Sequence, residues 1–167
     1  MNRLTRLGLI TALIVLALDQ ISKWYLLVLV MQPPRVIPVL PFFNIVSAWN
    51  RGVSFGMFDS GSPYSSWVLS ALAIAIVVFL VNWLRKSDRK HISVAIGLII
   101  GGALGNVVDR GVHGAVFDFL DIFIGRYHWP AFNVADSGIT VGAVILVLDS
   151  LFSKAENGKS KDSVEKS

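Results

Sequence analysis

Residues 64–84 read YSSWVLSALAIAIVVFLVNWL, and residues 92–108 read ISVAIGLIIGGALGNVV; neither stretch holds an Asp, Glu, Lys or Arg. An α-helix rises about 1.5 Å per residue, so runs of roughly 20 apolar residues match the hydrocarbon thickness of a bilayer. Composition supports the same reading for the whole chain of 167 residues. It is 54% hydrophobic and only 16% charged, with a mean hydropathy of +0.64, whereas a soluble domain carries about 25% charged residues. Too little polar side chain is present to cover a water-facing surface, which excludes an ordinary soluble enzyme.

Outward from these two runs, the apolar pattern appears twice more. Leu7 to Met31 is interrupted only by Asp19-Gln20 and Ser22-Lys23 and is preceded by Arg3 and Arg6. A cleaved signal peptide is the competing reading, but no A-x-A-like site follows and the apolar run resumes after Lys23, so a retained span is expected. The last run goes from Asn133 to Phe152. The sequence therefore predicts an all-α membrane protein with four transmembrane helices at about 7–31, 64–84, 92–109 and 133–152. Residues 1–153 form one domain, and 154–167 a polar, disordered tail.

Orientation follows from the basic residues. Arg3 and Arg6, then Arg85, Lys86, Arg89 and Lys90, then Lys154, Lys159, Lys161 and Lys166 all fall on one side of this four-span layout, leaving only Lys23, Arg35, Arg51, Arg110 and Arg126 elsewhere. The positive-inside rule places both termini in the cytoplasm and the segments 32–63 and 110–132 outside. The net charge of +4 then serves topology and anionic membrane lipid, and no nucleic-acid partner is expected. With no cysteine in the chain, disulfides, thiolate chemistry and Cys-based metal sites all drop out.

The outer segments differ in character. Residues 33–62 contain Pro33, Pro34, Pro38 and Pro41, the run Phe43 to Trp49, and turn formers at Asn50-Arg51-Gly52, which predicts a small extracytoplasmic β element. Residues 115–124 place Phe117, Leu120 and Ile124 beside Asp118 and Asp121, the pattern of a short amphipathic interfacial helix.

Ionisable groups within a span cost roughly 2.5–3.5 kcal/mol each, so each demands a partner or a function. Asp19 and Lys23 lie about 18 and 24 Å above Leu7, and Asn106 and Asp109 about 22 and 27 Å above His91. Asn133 and Asp136 begin the descending fourth span, and Asp118 precedes them outside. These groups, from separate parts of the chain, reach one depth. Each also has a structural reading. Asp19 and Lys23, four apart, suit a self-neutralising ion pair. Asp109 and Arg110 suit an interfacial pair, and Asn133 and Asp136 suit a helix cap. Gly97, Gly101 and Gly105, like Gly138 and Gly142, suit close helix packing, and if the two stripes face each other they bring Asn106 to Asp136. His91, His113 and His128 show no pairing with an activated serine and read as interfacial or structural.

Two carboxyl groups held close cannot both ionise cheaply, so one keeps its proton while the other serves as base. Such a pair activates water against a peptide carbonyl without a metal or other cofactor. On residues alone, an outward-facing aspartyl hydrolase and a small proton-coupled transporter remain equally open.

Five motifs occur in order: Leu18-Asp19-Gln20-Ile21-Ser22-Lys23; Asn50-Arg51-Gly52-Val53-Ser54-Phe55-Gly56; Gly101 to Arg110 with Asn106 and Asp109; Val116-Phe117-Asp118-Phe119; and Phe132-Asn133-Val134-Ala135-Asp136-Ser137. Together, over about residues 7–152, they resemble the lipoprotein signal peptidase family, or signal peptidase II. The resemblance implies an aspartyl endopeptidase of the bacterial cytoplasmic (inner) membrane, acting as a monomer on lipidated prolipoprotein signal peptides just before the diacylglyceryl-cysteine. By motif, Asp118 and Asp136 resemble the catalytic dyad. Asn106, Asp109, Arg110 and Asn133 resemble its polar frame, and Asp19, Lys23, Asn50 and Gly52 match further family positions. Asp121 is the nearest decoy for Asp118. Val107 stands where Leu is usual, and Val53-Ser54 replaces a commoner small pair.

Overall fold

A computed structural model describes residues 2–52 and 64–164, with side chains to Phe152; Val53 and Ser54 lie outside the described residues. The chain runs α1 (Arg3–Tyr25, continued by a π-helical turn Leu26–Val30), β1 (Ile37–Leu40), β2 (Phe43–Asn50), α2 (Ser65–Arg85), α3 (Lys90–His113), β3 (Val116–Ile124), β4 (Tyr127–His128) and α4 (Val134–Val164). Four helices are long and apolar enough to cross a membrane: Arg3–Val30, Ser65–Arg85, Lys90–His113 and Val134–Phe152.

Burial shows which helix is central. In α3, 61% of the apolar window is covered by protein, against 17–22% in the other three. The outer three instead present Leu13, Leu18, Val68, Phe79, Val147 and similar side chains outward, as helices facing lipid must. Glycine explains the central position of α3. A Cβ at Gly97 or Gly101 would strike the α1 carbonyls of Gly8 or Ala12, and one at Gly102 would strike that of Ala135 on α4. The rising order of these contacts makes α1 and α3 parallel, while Gly102 against Ala135 and Gly142 against Ala95 make α4 antiparallel to α3.

This corrects the expected pairing of the two stripes. Gly97, Gly101 and Gly105 face α1, and the α4 contact uses Gly102 and Gly142. Gly102 follows Gly101 by one residue, about 100° further round the helix, and so occupies a different face.

Beyond the helices lies a four-stranded antiparallel sheet in the order β1-β2-β3-β4. Gly114, at φ 71°, ends α3 in the left-handed conformation, and the chain turns directly into β3. Residues 116–124 are therefore a strand, not the expected interfacial helix. The run Val-Phe-Asp-Phe-Leu-Asp-Ile-Phe-Ile is rich in β-branched and aromatic residues, which favour a pleated, half-buried surface. Two partners also stabilise it as a strand: β2 on one edge, and on the other Phe132, whose N–H and carbonyl bond Leu120. Asn44 opposes Asp121, but Ala48, not Ser47, opposes Asp118. That one-residue bulge in β2 re-aims side chains next to the site. The backbone of α4 is helical through Val164; Lys, Ala and Glu after Ser153 are good helix formers.

Candidate active site

Asn133 is the residue on which two carboxylates meet. It caps α4: its Oδ1 accepts from the N–H of Asp136 at 2.9 Å, while its own N–H donates to Asp136 Oδ2 at 3.2 Å, the reciprocal bonding of a capping box. Its side-chain Nδ2 donates to Asp118 Oδ1 at 2.7 Å. The other oxygens are held as well, Asp136 Oδ1 by Asn106 Nδ2 at 2.8 Å and Asp118 Oδ2 by Asn50 Nδ2 at 3.2 Å. Capping therefore accounts for Asn133 and Asp136 only in part, because the same asparagine also fixes a carboxylate from β3.

Beneath this pair lies a buried charge cluster. Lys23 bridges Asp19 Oδ2 at 2.8 Å and Asp109 Oδ2 at 2.9 Å, with all three side chains at most 5% exposed, and reaches Asn106 Oδ1 at 3.4 Å. Asp19 and Lys23 are thus more than a self-neutralising pair. Asp19 Oδ1 accepts from the N–H of Ala135, one residue before Asp136. Asp109 Oδ2 accepts from the N–H of Phe117, one residue before Asp118. One lysine therefore joins the anchors of both candidate catalytic elements. Such a cluster is stable in a low-dielectric interior only when its hydrogen bonds are met. Gln20, which the sequence reading did not single out, supplies bonds to Asp19 at 3.1 Å, Asp109 at 3.0 Å and the Gly105 carbonyl at 3.3 Å. Its position next to Asp19 was the available signal.

Arg110 completes the frame. Its Nη2 donates to the Gly52 carbonyl at 3.1 Å and its Nη1 to the Asn106 carbonyl at 3.5 Å, and Gly52 in turn donates to Asn50 Oδ1 at 3.1 Å. Nε of Arg110 is the one buried side-chain donor left without a partner among the described residues. All ten residues singled out by sequence thus join one network.

Asp121 does not. It is buried among Asn44 Nδ2 at 2.9 Å and His128 Nδ1 at 2.8 Å, tying β2 and β4 to β3, and this gives His128 its structural role. At Asp118, burial and then the charge of Asp136 raise the pKa from 3.8 to about 7. Asn50 and Asn133 pull it only partly back. Beside Asp136 opens an apolar groove of about 620 Å³ lined by Ile122, Trp129, Phe132, Thr140 and Val141 among others. Among the described residues no cluster of His, Asp or Glu has the arrangement of a metal site.

Comparison with known proteins identifies the family. Residues 11–152 match the family model described as signal peptidase (SPase) II. A lipoprotein signal peptidase of Methylorubrum extorquens (strain PA1) is 46% identical over 150 residues, covering 87% of this chain and 86% of that protein. Another, from Alteromonas mediterranea, is 46% identical over 134 residues, covering 79% and 73%. A solved structure, described as a bacterial membrane enzyme determined by the in meso method at 2.3 Å resolution, superposes with a TM-score of 0.79 at 31% identity, covering 89% of this chain and 90% of that one. With its matched residues running from the first span through the last, the chain belongs to the signal peptidase II family of aspartic peptidases.

Proposed function

We propose that this protein removes signal peptides from lipidated prolipoproteins, cutting before the lipid-bearing cysteine, with Asp118 and Asp136 as the catalytic pair. The observation that carries this assignment is the sharing of Asn133 by the two carboxylates. Asp118, with its raised pKa, holds the proton. Asp136 takes a proton from water, whose oxygen bonds the scissile carbonyl carbon while Asp118 protonates the carbonyl oxygen. Collapse breaks the C–N bond. The departing amine receives the proton from Asp136, the hydroxyl proton returns to Asp118, and the pair is restored. Asn50, Asn106 and Asn133 orient the carboxylates, and Nε of Arg110 supplies a donor for the bound peptide.

A substrate anchored by acyl chains presents its scissile bond near the outer membrane surface, and the groove beside Asp136 offers the apolar wall such chains need. In this reading the termini are cytoplasmic, the site faces outward, and the protein acts as a monomer in the bacterial inner membrane with surrounding lipids as its solvent. A transporter is disfavoured because buried side chains of α1 between Thr5 and Asp19, and of α3 between Ser93 and Asn106, are all apolar or glycine. Among the described residues, the buried faces of these two helices offer no polar path from one end to the other.

The test is cleavage of a diacylglyceryl-cysteine prolipoprotein peptide by purified wild type and by the Asp118→Asn, Asp136→Asn and Asp121→Asn variants. Wild type and Asp121→Asn should cut while the other two, though folded, lose activity by at least about a thousandfold, as expected when an acid or base is lost from a concerted pair. Cleavage by either dyad variant at the wild-type rate would remove the assignment.

A further inference from the structure

At the opposite end of the molecule from the carboxylates, the parallel α1 and α3 bring their N-termini side by side. Helix N-termini carry partial positive charge and normally attract Asp or Glu, yet neither first turn contains an acidic residue. Basic residues stand there instead. Arg3, Arg6 and Lys90 surround a groove of about 600 Å³ whose remaining lining is Leu4, Leu7 and Ile10. All three cations are exposed, and none forms an ion pair among the described residues. Asp149, the carboxylate at this end of α4, is taken by Arg89 at 2.9 Å and His91 at 2.7 Å, and Asp88 in the α2–α3 loop pairs with none of them. Two positive helix ends and three cations thus converge without a counter-charge among the described residues.

We propose that this groove is a binding site for an anionic phospholipid, its phosphate headgroup among Arg3, Arg6 and Lys90 and an acyl chain along Leu4, Leu7 and Ile10. A free anion would satisfy the charges but leave the apolar wall uncovered. A zwitterionic lipid would cover the wall but bring its own cation to a site already rich in them. An amphiphile with net negative charge fits both halves. The inference is independent of the peptidase assignment, since the groove lies at the far ends of the two helices.

The experiment uses the full chain in a non-ionic detergent, titrated with dioctanoyl phosphatidylglycerol, dioctanoyl phosphatidylcholine or inorganic phosphate while the thermal midpoint is followed. The anionic lipid should raise the midpoint saturably in wild type, and the other two should not. In the R3Q/R6Q/K90Q variant the half-saturating concentration should rise roughly a hundredfold, given about a fivefold effect for each of the three basic contacts at a lipid surface. The R85Q/K86Q/R126Q variant, with the same loss of net charge, should respond like wild type. Peptidase activity in detergent alone reports that each variant is folded; should the triple variant fail this check, Lys90→Gln alone is titrated, with roughly a fivefold weakening expected. Equal responses of wild type and the groove variant would overturn the site, and stabilisation by phosphate alone would overturn its lipid occupant.

Discussion

Asp118 illustrates how a single residue's surroundings set both chemistry and stability. Its carboxyl has a pKa raised to about 7 in the fold, against about 3.9 in an unfolded chain. The native state therefore binds the proton more tightly. Its contribution to stability is complete below about pH 4 and is lost as pH rises towards 7, where the buried group becomes charged. Two outcomes are expected. The kcat/KM profile should fall above about pH 7 as the free enzyme loses the Asp118 proton. In thermal melts, Asp118→Asn should be inactive yet gain stability over wild type at pH 8, by an amount on the order of 2 kcal/mol that shrinks towards pH 5. Asp121→Asn should behave in the opposite way, keeping activity while losing about 1–2 kcal/mol with its bonds to Asn44 and His128. The sequence motif sets these two aspartates apart, but it gives no hint of what Asp121 does. Its partners come from strands 77 positions before and 7 positions after it.

Among the elements, the packing of α3 governs the site. A Cβ on Gly105 would lie 2.6 Å from Asp19 Oδ2, whereas one on Gly111 would meet nothing within 4 Å. Gly105→Ala should therefore displace the Asp19 carboxylate, costing about 1–3 kcal/mol and most of the activity. Gly111→Ala should be neutral or stabilising by up to about 1 kcal/mol. Parallel melting and cleavage assays of the two variants check this. Lys23→Met would leave Asp19 and Asp109 buried without their cation, and a loss of about 3–5 kcal/mol in the same melts is expected. At this scale the helices were legible in the sequence because long charge-free runs have few alternatives. The strand at 116–124 was not, because Phe117, Leu120 and Ile124 also satisfy a helical period over so short a stretch. What decides it is tertiary: β2 and Phe132 occupy its two edges. For the glycine stripes, spacing disclosed close packing but not which neighbour would fill each face.

For the whole molecule, topology is the property that function rests on. The absence of cysteine makes introduced thiols clean reporters. Arg126→Cys, in the β3–β4 turn, should react in spheroplasts with a membrane-impermeant maleimide, and Asp88→Cys, in the α2–α3 loop, should react only after the membrane is opened. The reverse pattern would invert the orientation and with it the access of lipidated substrates.

The hydrogen bond from Ala135 to Asp19 joins residues 116 positions apart, and this separation sets an order of events in time. The first span is synthesised and inserted before the last, so during biogenesis Asp19 has only its neighbours on the same helix, Lys23 at 2.8 Å one turn on and Gln20 at 3.1 Å, to make it tolerable to lipid. Asp109 joins that pair when the third span arrives. Asp136 and Asn133 take their places only with the fourth, where Asp136 meets the Asn106 already carried by α3. Under the proposed mechanism, water-activating chemistry is thus switched on by the final insertion step, and a chain whose translation stops before α4 should enter the membrane as an anchored but inert helical hairpin and a half.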